Sequence, residues 1–276
     1  MRRNMTSPQL LTKSMILSAL LIASHASASP PAEPARPQKV MSGDYSALVI
    51  TLFEDKDVVQ SWLPDGLVLD KDCPYKDAHP VIILTGVQRN FAMETSMKFY
   101  PRWGRKYHEV FISVPYLKMA AFPEKPPVHH FVRVYLDQWS AAKMGVERGW
   151  AKLLVKIEQN LHFYRVRNAD EIVIFEANPD FANALPLDDD NTSFAEIRNM
   201  LSMPMVLQKP SGGFKVFDFD LHFESTRIYS VPADLRVDES YLPGLTPIVK
   251  RVNGINTSDF GTFYLKTRFT NQETTY

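Results

Sequence analysis

The sequence predicts one mostly antiparallel β or α+β domain. Three observations carry that prediction: many short apolar segments of strand character, few stretches of helical period, and no regular alternation of strand with helix. Aromatic residues make up 12 % of the chain and gather with β-branched residues in those segments, where a pleated, half-buried surface favours them.

The N-terminus carries Arg2, Arg3 and Lys13, an apolar run over residues 15–23, and the small-residue stretch Ala26-Ser27-Ala28. This is the layout of an export signal over residues 1–28, and its apolar run is too short to span a bilayer. No transmembrane segment is expected after signal removal, so the expected location is secreted or periplasmic. Residues 29–44 open with the proline-rich stretch "SPPAEPARPQ" and read as a tether; residues 45–276 are expected to form the folded domain.

Within that domain "YSALVITLF" reads as a buried strand. "EDKDVVQSWL" reads as a short helix with acids in its first turn, stopped by Pro64-Asp65-Gly66. "HPVIILTGV" is a second strand, "YHEVFISVPYL" alternates as a third, "HHFVRVYLD" is a fourth and "DEIVIFEA" another. The long alternating stretch "FKVFDFDLHFESTRIYSV" follows the turn signal "SGG".

Composition excludes several classes of function. Basic and acidic residues number 31 each, and the signal removes three basic and no acidic residues, so the mature balance offers no footing for nucleic acid. Cys73 is the only cysteine, so no intrachain disulfide can form, and its setting "DKDCPYKD" opposes a thiolate nucleophile. The acids of "NALPLDDDNTS" lack the spacing and glycine of a calcium loop, which leaves a solvated loop. Adjacent His129 and His130 face opposite ways on a strand, and no zinc, phosphate-loop, dinucleotide or nucleophile-elbow motif occurs. No metal or cofactor is called for.

Two ionisable residues remain as candidates. On the strand "YHEVFISVP", Glu109 shares a face with Phe111 and Ser113, so it points either into a cavity, where it needs a partner, or off an exposed edge. In "RGWAKLLVKIE" the spacing of Trp150, Leu153, Leu154 and Ile157 fits a surface helix that points Lys152 outward. The same stretch as a strand would turn Lys152 toward a cavity, and periodicity does not choose between them.

Taken together, these segments resemble the acetoacetate decarboxylase superfamily. The similarity runs through "YSALVITLFEDKDVVQSWLPDGLVLD", the Tyr-x-Glu strand "YHEVFISVP", "VRVYLDQWSAAKMGVERGWAKL" and "KPSGGFKVFDFDLHFESTRIYSVPADLRV". The order and spacing of the pieces carry the resemblance; no single piece is diagnostic. It implies a curved antiparallel sheet forming a cone or barrel-like body around a central pocket, with a few peripheral helices. It also implies self-assembly as an option, a homo-oligomer of no fixed number.

In that family a lysine attacks the ketone of a β-keto acid, and the iminium takes up the electrons left when carbon dioxide departs. Glu109 carries over directly. With one residue deleted after Gly145-Val146-Glu147, Lys152 falls on the nucleophile and Leu153 on its lysine neighbour; without the deletion, Leu153 and Leu154 take both lysine positions and no nucleophile remains. Three features depart from the family pattern: the adjacent cation is lost, the family's arginine near the first strand has no counterpart at Asp44 or Tyr45, and Leu84 stands where the pocket holds an acid.

The segment between the second and third strands carries Arg89, Lys98, Arg102, Arg105 and Lys106 against Glu94 alone, a surplus that could draw an organic anion. The implied function is a lyase for a small keto acid, with Lys152 and Glu109 as catalytic residues and Arg89, Arg102, Arg105, Trp150, Leu153 and Leu84 as substrate-binding residues. A secreted small-molecule-binding protein of the same fold, its chemistry lost, is the alternative. Aldol or dehydration chemistry on the same lysine is a third.

Overall fold

The protein is described as a computed structural model covering residues 38–93, 106–146, 149–160, 162–187, 191–209, 212–223, 227–254 and 262–274. Two sheets dominate it. The first strand, β1 (Gln38–Glu54), is buried on both faces: Tyr45, Ala47 and Val49 enter one apolar cluster, while Leu48, Ile50 and Leu52 enter another. It begins at Gln38, upstream of the Tyr45 start suggested by the apolar pattern. Asp55 then caps α1 (Lys56–Ser61), its carboxylate accepting from the N–H groups of Asp57 and Val58.

β2 (Leu67–Leu69), β3 (His79–Met93), β4 (Lys106–Met119) and β5 (Val128–Leu136) follow, then α2 (Trp139–Val146). Next come the short β6 (Lys152–Leu154), β7 (Lys156–Gln159), β8 (Tyr164–Arg167) and β9 (Val173–Pro179). After a 3-10 turn at Phe181–Asn183, the chain runs through β10 (Leu185–Pro186), α3 (Thr192–Leu201), β11 (Met205–Gln208) and β12 (Phe214–Leu221). It ends with β13 (Arg227–Ser230), β14 (Ala233–Val237), β15 (Ile248–Val252) and β16 (Thr262–Thr274).

The larger sheet has 11 strands and is largely antiparallel; its parallel pairs are β5 with β6 and β5 with β11. Its path runs β1, β3, β4, β5, β11, β12, β16, and β16 pairs again with β1 over Thr262 to Glu273. The curved sheet therefore meets itself, and edge groups of β1 and β16 that would otherwise need water are hydrogen-bonded to each other. The smaller sheet is antiparallel in the order β15, β14, β9, β8, β7.

Side-chain alternation sorts the core into two. Residues from all seven strands of the circuit, among them Ile82, Phe111, Phe131, Met205, Phe217 and Phe269, join Trp150 and α3 in one interior cluster. The opposite face, with Leu48, Ile83, Val110 and Tyr135, packs on Val166, Phe175 and Leu235 of the smaller sheet. Asn191 caps α3 by accepting from the Phe194 N–H at 2.9 Å, and Phe194, Ile197, Met200 and Leu201 form its buried stripe.

Candidate functional site

Glu109 lies in the first third of β4, opposite Gly86 of β3 and Leu136 of β5. It is 1 % exposed, and neither carboxyl oxygen makes a hydrogen bond within ordinary geometry among the described residues. The absence of a side chain at Gly86 lets β1 close over this point, since a Cβ there would stand 2.3 Å from the Ser46 carbonyl oxygen. Burial pushes the Glu109 carboxyl up to about 8; the positive charge of Lys152 and the nearby Gln88 amide pull it down, and Asp137 adds to the rise. Burial dominates, so the acid stays largely protonated at neutral pH.

The lysine whose charge acts on this acid comes from a different part of the fold. Gly149, at φ 88°, turns the chain out of α2 in a conformation that favours glycine, and Trp150 N–H donates back to the Gly145 carbonyl at 3.1 Å. Trp150 is thereby buried in the interior cluster, and Lys152 opens β6, which lies parallel to β5 with Lys152 opposite Val134. The segment is a strand and not a helix, which resolves the ambiguity of its periodicity.

Lys152 is half-buried; its ammonium sits 5.1 Å from the centre of the Trp150 ring. Its aliphatic stem crosses Gly145 so closely that a Cβ there would stand 2.1 Å from Lys152 Cδ. Leu153 alternates away from it and is 43 % exposed.

Around this pair the interior is aromatic and polar by turns. Phe111, Phe131, Trp150, Phe217 and Phe219 form a connected set of rings, Phe111 and Phe131 with centroids 4.6 Å apart. Leu84 belongs to the same cluster. Tyr107 donates to the Gln88 carbonyl oxygen. Ser113 Oγ and His129 Nδ1 are 2.8 Å apart, and burial, with His130 adding to it, pushes His129 down to about 3, so that imidazole is neutral. The Tyr45 hydroxyl, His129 Nε2 and both polar atoms of the Asn271 side chain are buried without partners among the described residues. Such groups are costly unless a ligand or water satisfies them.

The structure thus brings Glu109, Lys152, Trp150 and Leu84 to the interior side. Arg89 lies elsewhere: β3 runs on to Met93, and Arg89 alternates to the face opposite Gln88, beside Ser46. Arg102, Arg105, Lys98, Glu94 and Glu147 fall outside the described residues. Sequence reasoning passed over Tyr45, Gln88 and Tyr107. Tyr107 was reachable by period two from Glu109; Gln88 and Tyr45 required the register that pairs them across β1 and β3. Among the described residues no cluster of His, Cys, Asp and Glu could hold a metal ion, and no helix is long and apolar enough to cross a membrane.

No family model and no curated protein matches the sequence. Solved structures do. The enduracididine biosynthesis enzyme MppR, complexed with pyruvate, superposes with a TM-score of 0.56 at 12 % identity, covering 91 % of each chain. An acetoacetate decarboxylase gives 0.55 at 14 % identity over 87 % of this chain and 91 % of its own. An acetoacetate decarboxylase-like enzyme from Sphingomonas wittichii RW1 gives 0.53 at 12 % identity over 86 % and 94 %. The curved, largely antiparallel sheet with Glu109 on its inner face is therefore the acetoacetate decarboxylase-like fold.

Proposed function

We propose that this chain is a Schiff-base lyase for a small β-keto acid, with Lys152 as the amine and Glu109 as its proton partner. The observation that carries the reading is a half-buried lysine whose charge is felt by a fully buried carboxyl that makes no hydrogen bond of ordinary geometry among the described residues. A lysine in water is about one part in 2,500 neutral at pH 7. Beside Glu109 a low-dielectric setting favours amine plus carboxylic acid over two separated ions, and this supplies the neutral nucleophile.

The steps then balance. Lys152 Nζ adds to the ketone and water leaves, forming an iminium. The bond to the carboxylate carbon breaks, carbon dioxide departs, and its electron pair enters the iminium to give an enamine. The enamine carbon takes a proton, for which the Glu109 acid is a source, and water releases the ketone and restores the amine. The rings around Trp150 disfavour a carboxylate relative to neutral carbon dioxide, which assists the bond-breaking step. That solved structures of this fold include one with pyruvate bound supports a keto acid as the substrate class.

A binding protein of the same fold is the second reading, favoured by the aromatic filling and by leucine at position 84. Carbon dioxide release from a panel of short β-keto acids decides between them. Turnover by the wild type and none by Lys152→Ala supports the lyase; saturable binding without turnover, equal in both proteins, supports the binding reading.

A further inference from the structure

A cavity lies on the other side of the curved sheet, independent of Glu109 and Lys152. It measures about 560 Å³, within the range of small-molecule sites, and lies between the outer face of β1, β3 and β4, the strands β7 and β8, and the β13–β16 pair. Strand alternation guarantees the separation: Val87, Arg89 and His108 line it, whereas Gln88 and Glu109 point to the interior.

One end of the cavity is cationic. Arg89 and Lys106 are directly opposite in register, and among the described residues neither makes an ion pair. The acids closest in register are engaged elsewhere: Asp44 accepts from Asn90 and lies 3.8 Å from Arg268, and Asp137 accepts from the His108 backbone N–H and pairs with its ring. Among the described residues no acidic side chain lines the cavity.

The other walls are aromatic. Tyr164, Tyr229 and Tyr264 carry hydroxyls with no hydrogen-bond partner among the described residues, and Phe181 stands edge-on to Tyr264 with centroids 5.3 Å apart. The side-chain carbonyl oxygen of Gln159 is buried without a donor among the described residues.

We propose that this cavity is a second ligand site for a planar organic carboxylate, its anionic end held by Arg89 and Lys106 and its ring body lying against the tyrosines. Flat apolar surface matches the rings, and a ligand hydroxyl or amide would find Gln159 and the phenols as partners.

2-Naphthoate is a suitable probe because it carries no ketone and cannot be captured by Lys152 as an imine. Isothermal titration of the full chain should show saturable binding. The double substitution Arg89→Gln, Lys106→Gln should weaken it at least about tenfold, as should replacing the probe by the neutral 2-naphthylmethanol. Both residues are exposed, and circular dichroism should be unchanged by the double substitution. Lys152→Ala should leave naphthoate binding intact whether or not it abolishes turnover. Equal binding of the alcohol, unweakened binding by the double variant, loss on Lys152→Ala, or no saturable binding would each overturn the proposal.

Discussion

Replacing Glu109 by glutamine keeps shape and removes the titration, so it isolates the energetic cost of ionising a buried acid. The carboxyl stands at about 8 in the folded protein against an ordinary value of 4.5. An acid whose folded value is raised is bound to its proton more tightly in the native state, so stability is full below pH 4.5 and declines until the folded carboxyl itself ionises near 8. At roughly 1.4 kcal/mol per unit the decline by pH 8 is on the order of 4 kcal/mol. Glu109→Gln should show no such term. Urea unfolding at pH 5, 6, 7 and 8 should give a midpoint that falls with pH more steeply in the wild type than in Glu109→Gln, with the variant more stable at pH 8. Parallel midpoint curves at unchanged m-value would refute the claim that Glu109 is buried and protonated at neutral pH.

Gly145→Ala places a methyl where the Lys152 stem runs. Alanine gains about 1 kcal/mol of helix propensity over glycine, so thermal stability should hold or rise. Displacing the lysine should nonetheless cut keto-acid turnover by about tenfold or more, and unchanged turnover would contradict the stem's placement. Asn191→Ala removes the cap of α3 and should cost about 1 kcal/mol in chemical denaturation; no loss would mean the Phe194 N–H finds another acceptor. N-terminal sequencing of material exported by its native host should begin near Ser29, and a product retaining Arg2 would end the export proposal.

Much of the sheet was legible because period-two alternation is a local property. β4 read directly from "YHEVFISVPYL", with Glu109, Phe111 and Ser113 on one face, and the Asp55-led start of α1 read from its acids. The Lys152 strand was not legible: β6 is three residues long and owes its existence to parallel pairing with β5, on the far side of α2. Arg89 was read as part of a basic connection, yet the polar "QRN" continues β3 because backbone pairing to β1 and β4 asks nothing of the outward side chains. The stripe of Phe194, Ile197, Met200 and Leu201 and the alternation in "TFYLKTRF" were both present in the sequence, and α3 and β16 could have been drawn from them.

The proposed chemistry rests on a covalent bond between Lys152 and a ketone. Borohydride reduction in the presence of a short β-keto acid, followed by proteolysis and peptide mass mapping, observes that bond directly. A single adduct is expected on the peptide carrying Lys152, dependent on the keto acid and absent in Lys152→Ala. Labelling of Lys156 instead, or no labelling of any lysine under turnover conditions, would contradict it.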